Sequence, residues 1–223
     1  MGKSFSLTAT DAHRLGAYRA DPDGKPRGGV VVVQEIFGVN HHIRSVCDRF
    51  AGLGYAAVAP ALFDRFVRDF ESGYSPEEVA NARTYLSSID WPALVRDTEA
   101  AVKALRPVGP IAVVGFCMGG SIAFLAATQI DGLAASVCFY GGQIAKFADD
   151  KPRCPVQMHF GEKDDHIPMK DVEAIRAKRP DCEVRVYPAG HGFYCDERPS
   201  FHAESAAIAW GRTLAFLERA MGK

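Results

Sequence analysis

Apolar residues along this chain fall into short continuous runs separated by longer amphipathic stretches. Val30-Val31-Val32-Val33 is an unbroken β-branched run, the pattern of a strand buried on both faces of a parallel sheet. Asn40 can cap a helix running to about Leu53, where Gly54 stops it. Tyr55-Ala56-Ala57-Val58-Ala59 predicts the next strand, closed by Pro60. Ser75-Pro76-Glu77-Glu78 reads as a capping box with proline at the first helical position. Asp90-Trp91-Pro92 opens a further helix, with Leu94, Val95, Ala101, Val102 and Leu105 as its apolar stripe. Ile111-Ala112-Val113-Val114 is a strand that leads into a helical stretch from Ser121 onward. Residues 134–140, 156–160 and 184–187 read as later strands, and 203–217 as a closing amphipathic helix. Strands alternating with helices imply an α/β fold: a mostly parallel, doubly wound sheet flanked by helices, in one domain over residues 1–223. The polar stretch 63–75 is the longest loop candidate, suited to a lid or rim.

Composition narrows the class. The 223 residues are 48% hydrophobic and 24% charged, with a formal net charge of -1 and no long run of one sign. Such a balance gives no reason to expect attraction to nucleic acid or to an anionic membrane. The apolar runs are strand-sized, and residues 1–8 carry no apolar segment of a secretory signal. The expectation is therefore a cytoplasmic protein, a monomer or weak homo-oligomer, acting on a small molecule. The six cysteines are expected as free thiols. His191 and Cys195 have a spacing that suits a metal pair only on a helix, which Gly190 and Gly192 make improbable, so no metal site and no cofactor is expected.

The chemistry concentrates in Gly115-Phe116-Cys117-Met118-Gly119-Gly120. Strand, tight turn and helix are the context of a nucleophile elbow, here with cysteine where G-x-S-x-G has serine. Gly115 and Gly119 let neighbouring chain pass close to a strained central residue. A thiol at a helix N-terminus is biased toward thiolate. Such a nucleophile needs a base, and the base an orienting acid. Asp164 and Asp165 follow the strand 156–160, and His191 follows the strand 184–187. Asp164, four positions before Pro168, fits the acid position better than Asp165. The run Gln34-Glu35-Ile36-Phe37-Gly38 ends the first apolar strand, where the second oxyanion donor belongs. The N–H groups of Ile36 and Met118 are assigned to that hole. Glu35 is either a loop charge turned to solvent or a carboxylate that influences the protonation of Cys117.

These segments together, with Ala189-Gly190-His191 and Gly54-Tyr55-Ala56-Ala57-Val58-Ala59-Pro60, closely resemble the dienelactone hydrolase family over nearly the whole chain. The resemblance implies an α/β-hydrolase fold and a triad of Cys117, His191 and Asp164. It also implies that Glu35 contacts the resting thiol and helps to deprotonate it once substrate binds. The type reaction is hydrolysis of dienelactone to maleylacetate, without a cofactor. Members acting on dienelactone hold its carboxylate with two arginines; ungapped matching puts Val79 and Cys195 at those positions. Arg83, Phe37 and Arg65 are candidates for contacting substrate, with Arg198 a weaker one. The expected activity is hydrolysis of carboxylic esters or lactones through a thioester. The alternatives are an esterase or thioesterase for neutral substrates, a non-catalytic protein, or a redox-active thiol protein.

Overall fold

The computed structural model describes residues 2–222. The chain divides between Ile111 and Ala112 into two compact units.

The first unit opens with two strands that no apolar run announces, β1 (Lys3–Thr8) and β2 (Arg14–Ala20). They form an antiparallel hairpin with Lys3 opposite Arg19 and Thr8 opposite Arg14. Few of their positions are buried, Leu7 on β1 and Leu15, Ala17 and Ala20 on β2, as a sheet with one wet face requires. β3 (Gly29–Val33) is buried at every position, so its valines face apolar neighbours on both sides of the sheet. Burial of each such side chain stabilises by about 1.5–3 kcal/mol. The helix α1 (His41–Gly52) follows, and the Asn40 side chain accepts from the Ile43 N–H at 3.3 Å. β4 (Ala56–Pro60) starts one residue later than expected and includes Pro60, which a strand tolerates at its end. The order within this unit is β1-β2-β4-β3, with β3 and β4 parallel.

The segment 63–75 is tied down along its length. Phe63 packs against Phe66, Phe70 and Tyr85 at ring separations of 5.6, 5.4 and 6.0 Å. Asp64 is buried and accepts from the N–H groups of Gly16 at 2.7 Å and Asp69 at 2.9 Å. The capping box at Ser75 is complete and starts α2 (Pro76–Thr84). Asp90 caps α3 (Trp91–Leu105).

In the second unit, β5 (Ile111–Phe116) runs into α4 (Met118–Gln129), whose residues 118–128 are all buried. Then come β6 (Ala135–Phe139), the short α5 (Ile144–Phe147), β7 (Val156–Gly161), α6 (Met169–Lys178), β8 (Glu183–Tyr187) and α7 (Ala203–Met221). The order β5-β6-β7-β8 is parallel throughout. α6 escapes the apolar pattern because only Val172 and Ile175 are buried on it. A fully buried His159 on β7 lies 2.8 Å from the Tyr187 hydroxyl and 3.0 Å from Gln157 Oε1. Burial, with Arg212 and Arg185 nearby, lowers its pKa to about 3, so the imidazole is neutral. All six cysteines are free.

Candidate active site

Cys117 sits between β5 and α4 with φ 55° and ψ -115°. A side chain other than glycine held there stores on the order of 1–3 kcal/mol of strain. Backbone bonds hold it in place. Its N–H donates to the Phe139 carbonyl at 3.0 Å, and its carbonyl accepts from Gly120 at 3.0 Å and Ser121 at 3.2 Å. A Cβ added at Gly115 would collide with the Gly119 carbonyl, and one at Gly120 with the Phe139 carbonyl. The turn therefore admits no side chain at either place, and the constraint at Gly120 was not foreseen from the motif. The Met118 N–H lies in the first turn of α4, where a helix has no acceptor of its own to offer.

Two loops of the same unit bring up the other groups. Asp164, after β7, is buried, and its Oδ1 accepts from the N–H groups of His166 at 2.8 Å and Ile167 at 3.2 Å. Its Oδ2 lies 2.7 Å from Nδ1 of His191, which follows β8. His191 Nε2 lies 3.1 Å from Cys117 Sγ. Asp165 is exposed, so of the two aspartates Asp164 is the one that meets the histidine. Burial alone would push the imidazolium of His191 down. The charge of a Cys117 thiolate and the hydrogen bonds to Asp164 and Cys117 outweigh it and raise His191 to about 10. The rings of Tyr140 and His166 both pack on His191, each at 5.1 Å.

Most of the remaining candidates lie in the first unit. Glu35 is 1% exposed, so it is not a loop charge turned to solvent. Its Oε2 accepts from the Tyr74 hydroxyl at 3.3 Å, a partner that no sequence signal marked. Ile36 is buried, and Phe37 packs edge-on against Tyr74 at 4.8 Å. Arg65 forms two hydrogen bonds with Asp97, at 2.7 and 2.6 Å, and a further one with Asp11 at 3.2 Å. Its guanidinium is therefore engaged within the protein. Arg83 is exposed on α2 and Val79 is half-buried there. In the second unit Cys195 is buried and Arg198 packs against Gly192. No helix among the described residues is long and apolar enough to cross a membrane.

Parallel strands alternating with helices, and a cysteine on a strained strand-to-helix turn with an aspartate and a histidine after later strands, define an α/β-hydrolase fold. A crystal structure from Klebsiella pneumoniae, described as a "Putative Dienelactone Hydrolase", superposes with a TM-score of 0.85 at 31% identity, covering 98% of this chain and 99% of that one. The model of the "Dienelactone hydrolase family" matches residues 15–221, and the chain belongs to that family of hydrolases. A "Putative carboxymethylenebutenolidase" of Synechocystis sp. is 38% identical over 201 residues, 81% of each chain. "Carboxymethylenebutenolidase 1" of Cupriavidus pinatubonensis is 30% identical over 228 residues, 97% of each.

Proposed function

We propose that this hydrolase cleaves carboxylic esters or lactones through a thioester on Cys117. The observation that carries the proposal is the continuous hydrogen-bonded chain Asp164 Oδ2 to His191 to Cys117 Sγ, at 2.7 and 3.1 Å. In the scheme, His191 Nε2 takes the thiol proton as the sulfur attacks the carbonyl carbon, and the charge moves to the carbonyl oxygen. The Met118 N–H, at the positive end of α4, stabilises that charge. The tetrahedral adduct then expels the alcohol oxygen, which takes the proton from His191 Nε2. Water next attacks the thioester, giving its proton to Nε2 and displacing the sulfur as thiolate. Asp164 keeps the imidazole in the tautomer that presents Nε2 and supports the imidazolium. The sequence pattern adds Ile36 as second oxyanion donor and Glu35 as the carboxylate that governs the thiol.

The substrate class follows from charge. The positions matched to the family's two carboxylate-binding arginines hold Val79 and Cys195, and Arg65 is already bound to Asp97 and Asp11. A buried carboxylate needs a charged partner, and these residues supply none. With Arg83 exposed on α2, the favoured substrates are esters or lactones without a carboxylate; strong hydrolysis of an anionic lactone that collapses in Arg83→Ala would show that Arg83 supplies the missing charge. The test is a panel of lactones and chromogenic esters, paired by size with and without a carboxylate, with a thiol-alkylated control. Faster turnover of the uncharged member, lost on alkylation, is expected. Strong preference for the anionic member would return the dienelactone-type substrate. Turnover that survives complete alkylation of Cys117 would reject the mechanism.

A further inference from the structure

We infer that His166 is a positioning residue that holds the His191 ring in place during deacylation. The inference rests on the triad proposed above. Three things restrain the imidazole of His191: Asp164 at Nδ1, Cys117 Sγ at Nε2, and the rings packed on it. The second restraint does not last through the cycle. Once the sulfur carries the acyl group it has lost its charge and is a poor acceptor, because thioether-like sulfur accepts only weakly. The ring is then tethered at Nδ1 alone and is free to turn about its Cβ–Cγ bond. It must nevertheless aim Nε2 at a water molecule, and a misplacement of about 1 Å can cost about a hundredfold in rate.

Two rings remain to resist that turn. Tyr140 is fully buried and lies among Phe116, Phe139 and Phe193 at 6.4, 6.1 and 5.6 Å, so it forms a fixed wall. His166 is exposed and stands almost perpendicular to His191, at 85°. What fixes its position is Asp164 itself. One carboxylate oxygen accepts the His166 backbone N–H at 2.8 Å while the other holds His191 Nδ1 at 2.7 Å. The His191 ring and the His166 backbone are thereby indexed to one carboxylate, and the His166 ring reaches His191 from that backbone. An edge-to-face ring contact of this kind is a directional restraint that a non-aromatic side chain does not reproduce. An exposed histidine in this place needs no packing role in the core, so its replacement leaves the fold intact.

The effect therefore falls on one half-reaction. Acylation begins with the Nε2 to sulfur contact in place, and deacylation begins without it. His166→Ala should slow deacylation by about tenfold and leave acylation within about twofold. The probe is p-nitrophenyl acetate with enzyme in excess. Nitrophenolate release reads acylation, and loss of the acetyl mass from Cys117 after rapid gel filtration reads deacylation. His166→Phe, which keeps a ring, should restore most of the deacylation rate, and His166→Asn should not. Equal slowing of both steps, no change in either, or rescue by asparagine as good as by phenylalanine would overturn the inference while leaving the triad intact. An acetyl group found on a residue other than Cys117 in the unmodified protein would overturn the triad, and the inference with it.

Discussion

Asp97 in the first unit and Asp164 in the second are both buried carboxylates that face a nitrogen base, yet they do different things. Asp97 receives two hydrogen bonds from Arg65, and Arg65 reaches on to Asp11 in the turn between β1 and β2. That cation cannot give up its proton, so the pair joins elements and nothing more. Asp164 faces a histidine whose other nitrogen meets a thiol. Histidine exchanges a proton, so the same kind of buried contact becomes part of a reaction path. The partner, rather than the burial, separates a structural carboxylate from a chemical one.

The comparison can be broken by replacing each carboxylate in turn. Asp164→Asn should lower kcat by about 10⁴-fold, because the wrong tautomer and the lost charge disable His191. Asp165→Asn should change kcat little. Steady-state kinetics on a chromogenic ester would rank the two, and the reverse ranking would mean that Asp165 is the acid. Glu35 sharpens the contrast, being a first-unit carboxylate to which chemistry is assigned. Glu35→Gln should reduce turnover by about 10²-fold if the carboxylate helps to deprotonate the thiol when substrate binds. It should also speed alkylation of the resting enzyme. If neither rate moved, Glu35 would join Asp97 as structural. Asp97→Ala should leave the half-buried Arg65 cation with Asp11 alone and cost about 1–3 kcal/mol of stability. Denaturant titration would measure the loss, and kcat per folded molecule should hold.

A further effect, confined to acid pH, concerns His159. Burial keeps its folded pKa at about 3, below the ordinary value of 6.5. Between those values the unfolded chain binds more protons than the folded one, so stability falls as pH falls through that window. The slope contributed is at most roughly 1.4 kcal/mol per pH unit. His159→Gln should flatten the dependence of the urea midpoint on pH below about 6.5. An unchanged slope would show that other groups carry the acid sensitivity.

Local chemistry decided what the sequence disclosed. The turn at Cys117 was legible because its glycines answer a steric demand that few residues meet, between a strand and a helix of obvious pattern. Asp164 and His191 were legible by their places after later strands. The β1–β2 hairpin was not, since its strands bury few residues and resemble a polar loop. The bonds from Arg65 to Asp97 and from Tyr74 to Glu35 join residues 32 and 39 positions apart, and no local pattern encodes them. The strand-end position of Glu35 announced a choice between solvent and chemistry; only the fold showed that solvent is excluded. The ring contact of His166 with His191 exists because two loops after different strands meet on one carboxylate, which is a property of the sheet and not of either loop.

The central claim is that a thioester forms on Cys117. Quenching the enzyme in acid during turnover of a slow ester, followed by peptide mass spectrometry, tests it directly. The account predicts the acyl mass on the peptide containing Cys117, labile to hydroxylamine, and no adduct in Cys117→Ala, whose turnover should fall by about a millionfold. Undiminished turnover by Cys117→Ala, or an acyl mass on any other residue, would contradict it.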